Sequence, residues 1–143
     1  MSVLRSMDIA GSALTAQRLR MDVISSNVAN AETTRTPSGG PYRRAQVVFS
    51  PTALAARVGS RPGETSSVGV EVQAIAADEA PPRMVHDPNH PDADEQGNVA
   101  YPNVDVTTEM VDMLSATRAY EASVTVLNAS KAMAVKALDI GRG

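Results

Sequence analysis

From Asp105 to Ile140 the chain carries neither Gly nor Pro, and a breaker-free stretch of that length predicts one long helix. Val106, Met113, Tyr120, Leu127 and Ala134 recur every seven residues. Met110, Thr117, Val124 and Leu138 fall between them, with Lys131 the charged member of that second series, and the two series together form an a/d heptad pattern. Asp105 is placed to cap the start, Glu109 and Asp112 lie in the early turns, and Lys131 and Lys136 lie near the end, so the charges complement the helix dipole. At about 1.5 Å per residue the helix would be about 50 Å long. A compact globule of this chain length is about 40 Å across. The helix is therefore expected to overhang any body the chain can build.

A second heptad series runs from Ser2 to about Ala29, with Met7, Leu14, Met21 and Val28 in one register and Val3, Ala10 and Ile24 in the other, interrupted at Gln17. Two long seams at opposite ends of one chain have an economical solution: they pair antiparallel while the middle folds back as a lobe, which brings the termini together. The fold class expected is mainly α with a small β-rich middle lobe (α+β), the terminal helices pairing as an antiparallel coiled coil. Leu4, Ile9, Leu19 and Val23 lie off the first seam, and Leu114, Val126, Met133, Val135 and Ile140 off the second. Either the lobe covers these side chains, or other subunits do; the length of the helix favours other subunits.

The division expected is 1–35 for the first helix and a turn segment, 36–102 for the lobe, and 103–143 for the second helix with its approach. Asn30 to Pro41 is turn chemistry throughout. Tyr42 to Phe49 reads as a strand with Ala45, Val47 and Phe49 on one face, and Ser50 to Glu64 reads as irregular around a short Ala/Leu segment. Val68, Val70, Val72, Ala74 and Ala76 alternate with Gly69, Glu71, Gln73 and Ile75 as the clearest strand, and Arg83 to His86 reads as a short partner strand. Asp87 to Asn98 is a polar loop that hands over to the long helix through Val99 to Val104.

Candidate chemistry is sparse. No cysteine is present, which excludes disulfides and thiolate sites, and a net charge of -3 argues against a nucleic-acid coat. One Phe, three Tyr and no Trp leave a thin core whose apolar content is mostly Ala, Val and Met. His86 and His90, with Asp87, Asp92, Asp94 and Glu95, could suggest a metal site, but Pro88 and Pro91 prevent a helix that would align the pair, and no further His completes a shell. A solvated acidic turn is the better reading. Gly39-Gly40 before Arg43-Arg44 precedes a strand, so no helix N-terminus faces an anion there. No catalytic triad can be assembled, and no catalytic residue, cofactor, metal or small-molecule substrate is expected. Arg5, Arg18 and Arg20 along the first helix could suggest a membrane-surface helix, but Asp8, Asp22 and Glu32 dilute the charge. No apolar run reaches membrane-spanning length, and the amino terminus lacks the pattern of a cleaved signal.

Ser25 to Thr36 (Ser-Ser-Asn-Val-Ala-Asn-Ala-Glu-Thr-Thr-Arg-Thr), followed by Gly39-Gly40-Pro41-Tyr42-Arg43-Arg44, resembles the rod and hook axial proteins of the bacterial flagellum, and within them the proximal-rod members. Asp87 to Asp94, Gly97 to Val104, and Glu109-Met110-Val111 through Arg118-Ala119-Tyr120-Glu121-Ala122 agree, while Asn98 stands where the resemblance implies an aromatic residue. The resemblance implies a structural subunit of the rod in the periplasmic span, exported unfolded by the flagellar type III apparatus without a cleaved signal. Its partners would be other rod subunits and copies of itself, with no nucleic acid. A soluble coiled-coil adaptor is the alternative, since it needs only the seams. Subunit contacts are expected at Met7, Leu14, Met21, Ile24 and Val28 with the turn residues Asn27, Asn30 and Thr33. On the second helix they are expected at Met110, Met113, Tyr120, Val124, Leu127 and Leu138.

Overall fold

The computed structural model describes residues 3–53 and 68–141. The Ala/Leu segment expected after Ser50 lies outside them from residue 54 onward. Helix α1 spans Val3–Ala29 and helix α2 spans Val106–Ile140, so both long helices stand where the heptad patterns put them. Asp105 caps α2 as expected, its carboxylate accepting from the Thr107 N–H at 3.0 Å and the Thr108 hydroxyl at 2.9 Å. At the other end the Gly141 N–H closes the last turn on the Ala137 carbonyl.

The helices lie antiparallel. Ser6 meets Ser130 at 3.1 Å, Thr117 meets Met21 at 3.6 Å, Arg20 meets Asp112 at 3.2 Å and Asn27 meets Glu109 at 2.9 Å, so numbers rise along α1 as they fall along α2. The start of α1 thereby lies against the last third of α2, near Ser130.

The row of α2 that closes on α1 differs from the heptad reading by one position. Met113, Tyr120, Leu127 and Ala134 are half-buried, in keeping with their place in the seam. The row beside them is Glu109, Ala116, Ser123 and Ser130, one residue earlier than Met110, Thr117, Val124 and Lys131. Glu109 and Ala116 are 0% exposed and Ser130 is buried, whereas Met110 is 64% exposed and Thr117 and Val124 are half-buried. The same substitution of small or polar residues for bulky ones holds on α1, where Ser6, Arg20 and Asn27 make the contacts above alongside buried Ala10 and Ile24. Met7, Leu14 and Met21 are only half-buried flanks, and Val28 is exposed. Small side chains let two backbones approach closely, so the contact line follows Ala and Ser while the larger residues are pushed to its sides.

Among the described residues the lobe holds two separate antiparallel pairs. Strand β1 (Ala45–Ala53) pairs with β2 (Val68–Ala77), and β3 (Arg83–His86) pairs with β4 (Asn98–Tyr101). β1 starts later than the expected Tyr42 because Tyr42 and Arg44 are spent on the junction described below, and it continues through Pro51, which a two-stranded ribbon tolerates because both strands are edges. A bulge between Val48 and Phe49 leaves Gln73 unopposed, since Val48 faces Ala74 while Phe49 faces Val72. It overturns the simple alternation of β2: Ile75 joins Val70 and Val72 on the face of Val47 and Phe49, and Ala74 moves to the other face.

The ribbon lies along α1. At one end Ala45 is bonded to Asn27, and at the other the Val70 N–H donates to the Ser12 hydroxyl at 3.2 Å. Val47 and Phe49 line a cleft with Val23 and Ile24 between them. Helix α1 thus has α2 on one side and the ribbon on another, which accounts for the burial of Ala16 and Val23 off the helix seam. The β3–β4 pair centres on Val99, which is fully buried. Asn98 places its amide oxygen 3.3 Å from His86 Nδ1, and Gly97, at φ +77, lies where an added Cβ would press on the side chains of His86 and Pro88 at 3.0–3.3 Å.

Candidate functional site

The part of the molecule with the densest polar chemistry is the junction where both helices, the ribbon and the pre-helix loop meet. Asn27, on the last turns of α1, is fully buried and uses its whole side-chain amide. Its Nδ2 donates to the Ala45 carbonyl at 2.8 Å and to Glu109 Oε2 at 2.9 Å; its Oδ1 accepts from the Tyr42 hydroxyl and the Ala45 N–H, both at 2.9 Å. An amide has this donor and acceptor inventory and no surplus, so every partner is specified.

Glu109 is the buried charge of the junction. Its other oxygen accepts from Arg44 Nε at 2.5 Å, a charge-assisted bond to a carboxylate that is itself buried. Arg44 also donates through Nη2 to Asp112 at 3.3 Å and lies 4.0 Å from Asp78. Its backbone is fixed as well, with the N–H on the Asn103 amide oxygen at 3.2 Å and the carbonyl accepting from Asp78 at 2.7 Å. Arg20 completes the group by pairing with the second oxygen of Asp112, although that pair is about one-third exposed and solvent screens it. Beside these residues a cleft of about 410 Å³ runs between α1, α2 and the ribbon.

Next to the junction the turn segment is held by its own side chains. The Ser26 carbonyl accepts from both the N–H and the side chain of Asn30, at 3.1 and 2.9 Å, which ends α1, and the Thr33 hydroxyl donates to the Asn30 side chain. Thr36 then closes a turn over Gly39 and Gly40, whose φ of +88 and +72 suits glycine. The acidic loop is not wholly solvated as expected: Asp92 reaches back to accept from the Thr34 hydroxyl at 2.8 Å and pairs with Arg35 at 2.5 Å. His90 accepts from the Asp92 N–H and sets its ring edge toward Tyr101, with centroids 6.1 Å apart, while Arg83 lies over the Tyr101 ring. Among the described residues no group of three His, Cys, Asp or Glu side chains is gathered to hold a metal, and no helix is long and apolar enough to cross a membrane.

Of the expected contact residues, the structure brings Asn27, Asn30 and Thr33 into this junction and its turn, and Ile24 lines the adjoining cleft. Met21 reaches Thr117 across the helix pair, whereas Met110 and Leu138 stay outside it. Sequence reading missed Arg44, Glu109, Asp112, Arg20 and Tyr42 as a unit. A signal existed: Glu109 precedes Ala116, Ser123 and Ser130 at heptad spacing, which places a carboxylate in a row of small residues.

Both ends of the chain match known family models. Residues 7–35 match the flagella basal body rod protein family, and residues 95–140 match the C-terminal family of flagellar basal body rod FlgEFG proteins. Over 99% of its length the chain is 48% identical to the flagellar basal-body rod protein FlgC of Yersinia enterocolitica, covering 100% of that protein. It is 45% identical to the FlgC of Borreliella burgdorferi with both chains covered at 100%. The FlgC of Bacillus subtilis is 43% identical over 99% of the chain and 100% of that protein. The chain belongs to the FlgC family of flagellar basal-body rod proteins. In this FlgC-family chain the rod-family match over residues 7–35 carries most of α1 and the turn segment after it, and the match over residues 95–140 carries β4 and α2.

Proposed function

We propose that this FlgC-family chain is a non-enzymatic structural subunit of the proximal rod, assembling helically with copies of itself and other rod subunits to carry torque from motor to hook. Full-length similarity to rod proteins supports the basal body as its place. One structural observation carries the reading toward assembly. Away from its contact with α1 and beyond the start of α1, α2 displays Met110, Val111, Leu114, Val126, Met133, Leu138 and Ile140, each half or more exposed. An isolated helix pair gains nothing from that face, and neighbouring subunits would bury it.

In this reading the α1–α2 pair closes as an antiparallel coiled coil belonging to the axial part (1–35 with 103–143), and 36–102 faces outward. Met7, Leu14, Val28, Met110 and Leu138 meet neighbours, while Met113, Tyr120, Val124 and Leu127 serve the pair and its flanks. Export through the flagellar type III apparatus and residence in the periplasmic span complete the proposal. The test is to replace Met110→Asp and Leu138→Asp in a motile strain lacking the wild-type copy. Both side chains are exposed in the lone subunit, so secreted levels and far-ultraviolet CD should match wild type while rod incorporation and motility fall. Undiminished incorporation of both variants, or a wild-type protein that stays a dispersed dimer beside its rod partners, would overturn the reading.

A further inference from the structure

Glu109 poses a problem that helix packing does not solve. It is 0% exposed in a row otherwise made of Ala and Ser, and a buried ion pair is a weak source of net stability compared with apolar residues of the same volume. The neutralising cation is not supplied by either helix. Arg20, on α1, is engaged with Asp112 at 3.2 Å, and among the described residues what α1 offers Glu109 is the Asn27 amide. The charge on Glu109 is met by Arg44, which stands just before β1 and is itself held by Asn103 and Asp78 from the loop and the end of the ribbon. Asn27 repeats the pattern, since its remaining bonds all go to Tyr42 and Ala45. At this end of the pair, each helix buries a polar side chain that takes partners from the lobe, three of the four bonds of Asn27 and one of the two of Glu109.

We infer that Arg44 is a positioning residue that makes closure of the helix pair conditional on a folded lobe. With the lobe docked, Asn27 and Glu109 are fully paired and the seam closes. Without it, closing the seam would bury an unneutralised carboxylate, so the first turns of α2 stay open. An α2 helix is thereby kept from settling on an α1 helix whose own lobe has not formed, in the same chain or in another copy. The inference concerns the single chain and stands independently of the rod reading.

Hydrogen exchange on the purified full chain in its monomeric form tests it, with Arg44→Met, Arg44→Lys, Glu109→Leu and the double variant Arg44→Met/Glu109→Leu. Arg44→Met should speed exchange of the amides from Glu109 to Ala116 by about tenfold or more. Arg44→Lys, which keeps the charge, should restore part of the protection. The deciding arm is the double variant, in which the carboxylate is gone and protection of those amides should return although the lobe has lost its arginine. A merely structural role for Arg44 in the lobe would not be rescued that way. Unchanged protection in Arg44→Met, or no recovery in the double variant, overturns the inference. If Arg44→Met does not fold, a folded double variant supports it and an unfolded one refutes it.

Discussion

Replacing Asn27→Asp changes one nitrogen to oxygen and leaves shape and volume alone, so its cost isolates the hydrogen-bond arrangement at the junction. Two donated bonds, to the Ala45 carbonyl at 2.8 Å and to Glu109 Oε2 at 2.9 Å, become contacts between acceptors. Losing the first costs about 1 kcal/mol, and setting a carboxylate against the buried carboxylate of Glu109 costs about 3 kcal/mol more. A loss of about 4 kcal/mol is a large share of the 5–15 kcal/mol, roughly, that holds a domain folded. Denaturant unfolding followed by far-ultraviolet CD measures it directly. The comparison variant is Asn30→Asp, whose side chain donates to the Ser26 carbonyl at 2.9 Å in an exposed position, and which should lose about 1 kcal/mol or less. Acid supplies an internal check. Both neighbours disfavour the charged form of the new carboxyl, raising its folded pKa, so the deficit should be small below the ordinary Asp range and grow as pH rises through the folded value. A loss below about 1 kcal/mol, or one no larger than that of Asn30→Asp, would refute the four-bond arrangement assigned to the buried Asn27 amide.

Ala116→Leu should destabilise the monomer by about 1–3 kcal/mol through overpacking, while Thr117→Leu, one position along, should be milder; the reverse order in denaturant melts would put the contact row back where the apolar heptads suggest. The Thr108 hydroxyl, then the Thr107 N–H, hold the Asp105 carboxyl below its ordinary value, so the cap's contribution is present above the usual carboxylate range and fades as pH falls through the lowered one. Melting of Asp105→Ala beside wild type should therefore differ at neutral pH and converge in acid. Gly97→Ala should loosen the β3–β4 pair by about 1 kcal/mol, because its φ of +77 is strained for alanine and the added carbon would lie 3.0 Å from His86 Cε1; faster exchange of the Val99 amide is the readout. Joint replacement of His86 and His90 by Asn should leave export and assembly intact, with loss restored by added metal as the contrary result.

Legibility in the sequence followed the strength of the local signal. The limits of α2 were readable because periodicity, the absence of Gly and Pro, and the Asp105 cap agree over many residues. The second strand was readable for the same reason. The contact row between the helices was not, because an apolar heptad search rewards Met110 and Val124, whereas close approach selects Ala116, Ser123 and Ser130, whose side chains carry little hydrophobic signal. Gln73's bulge left no mark in the alternation of Val68 to Ala76, since Ala and Ile both pass as apolar. Arg44 and Glu109 are separated by 65 residues and Thr34 and Asp92 by 58, and nothing in a single sequence couples positions that far apart.

The ribbon's position along α1 also bears on the order in which the molecule forms. Asn27 and Ala45 are separated by 18 residues, so α1 and the ribbon it carries can meet through a short closure. Ser6 and Ser130 are 124 residues apart, and bringing those ends together from an open chain costs about 1.7 kcal/mol more in loop entropy than the shorter closure does. Contacts of such range slow a transition state that must form them early, so the faster route builds α1 with the ribbon first. Docking of α2 then becomes the late step, and its rate should track how complete the first half already is. A chain truncated after Asp78 should accordingly retain a fast-forming α1 and ribbon, whereas removing α1 should leave α2 with no surface on which to fold.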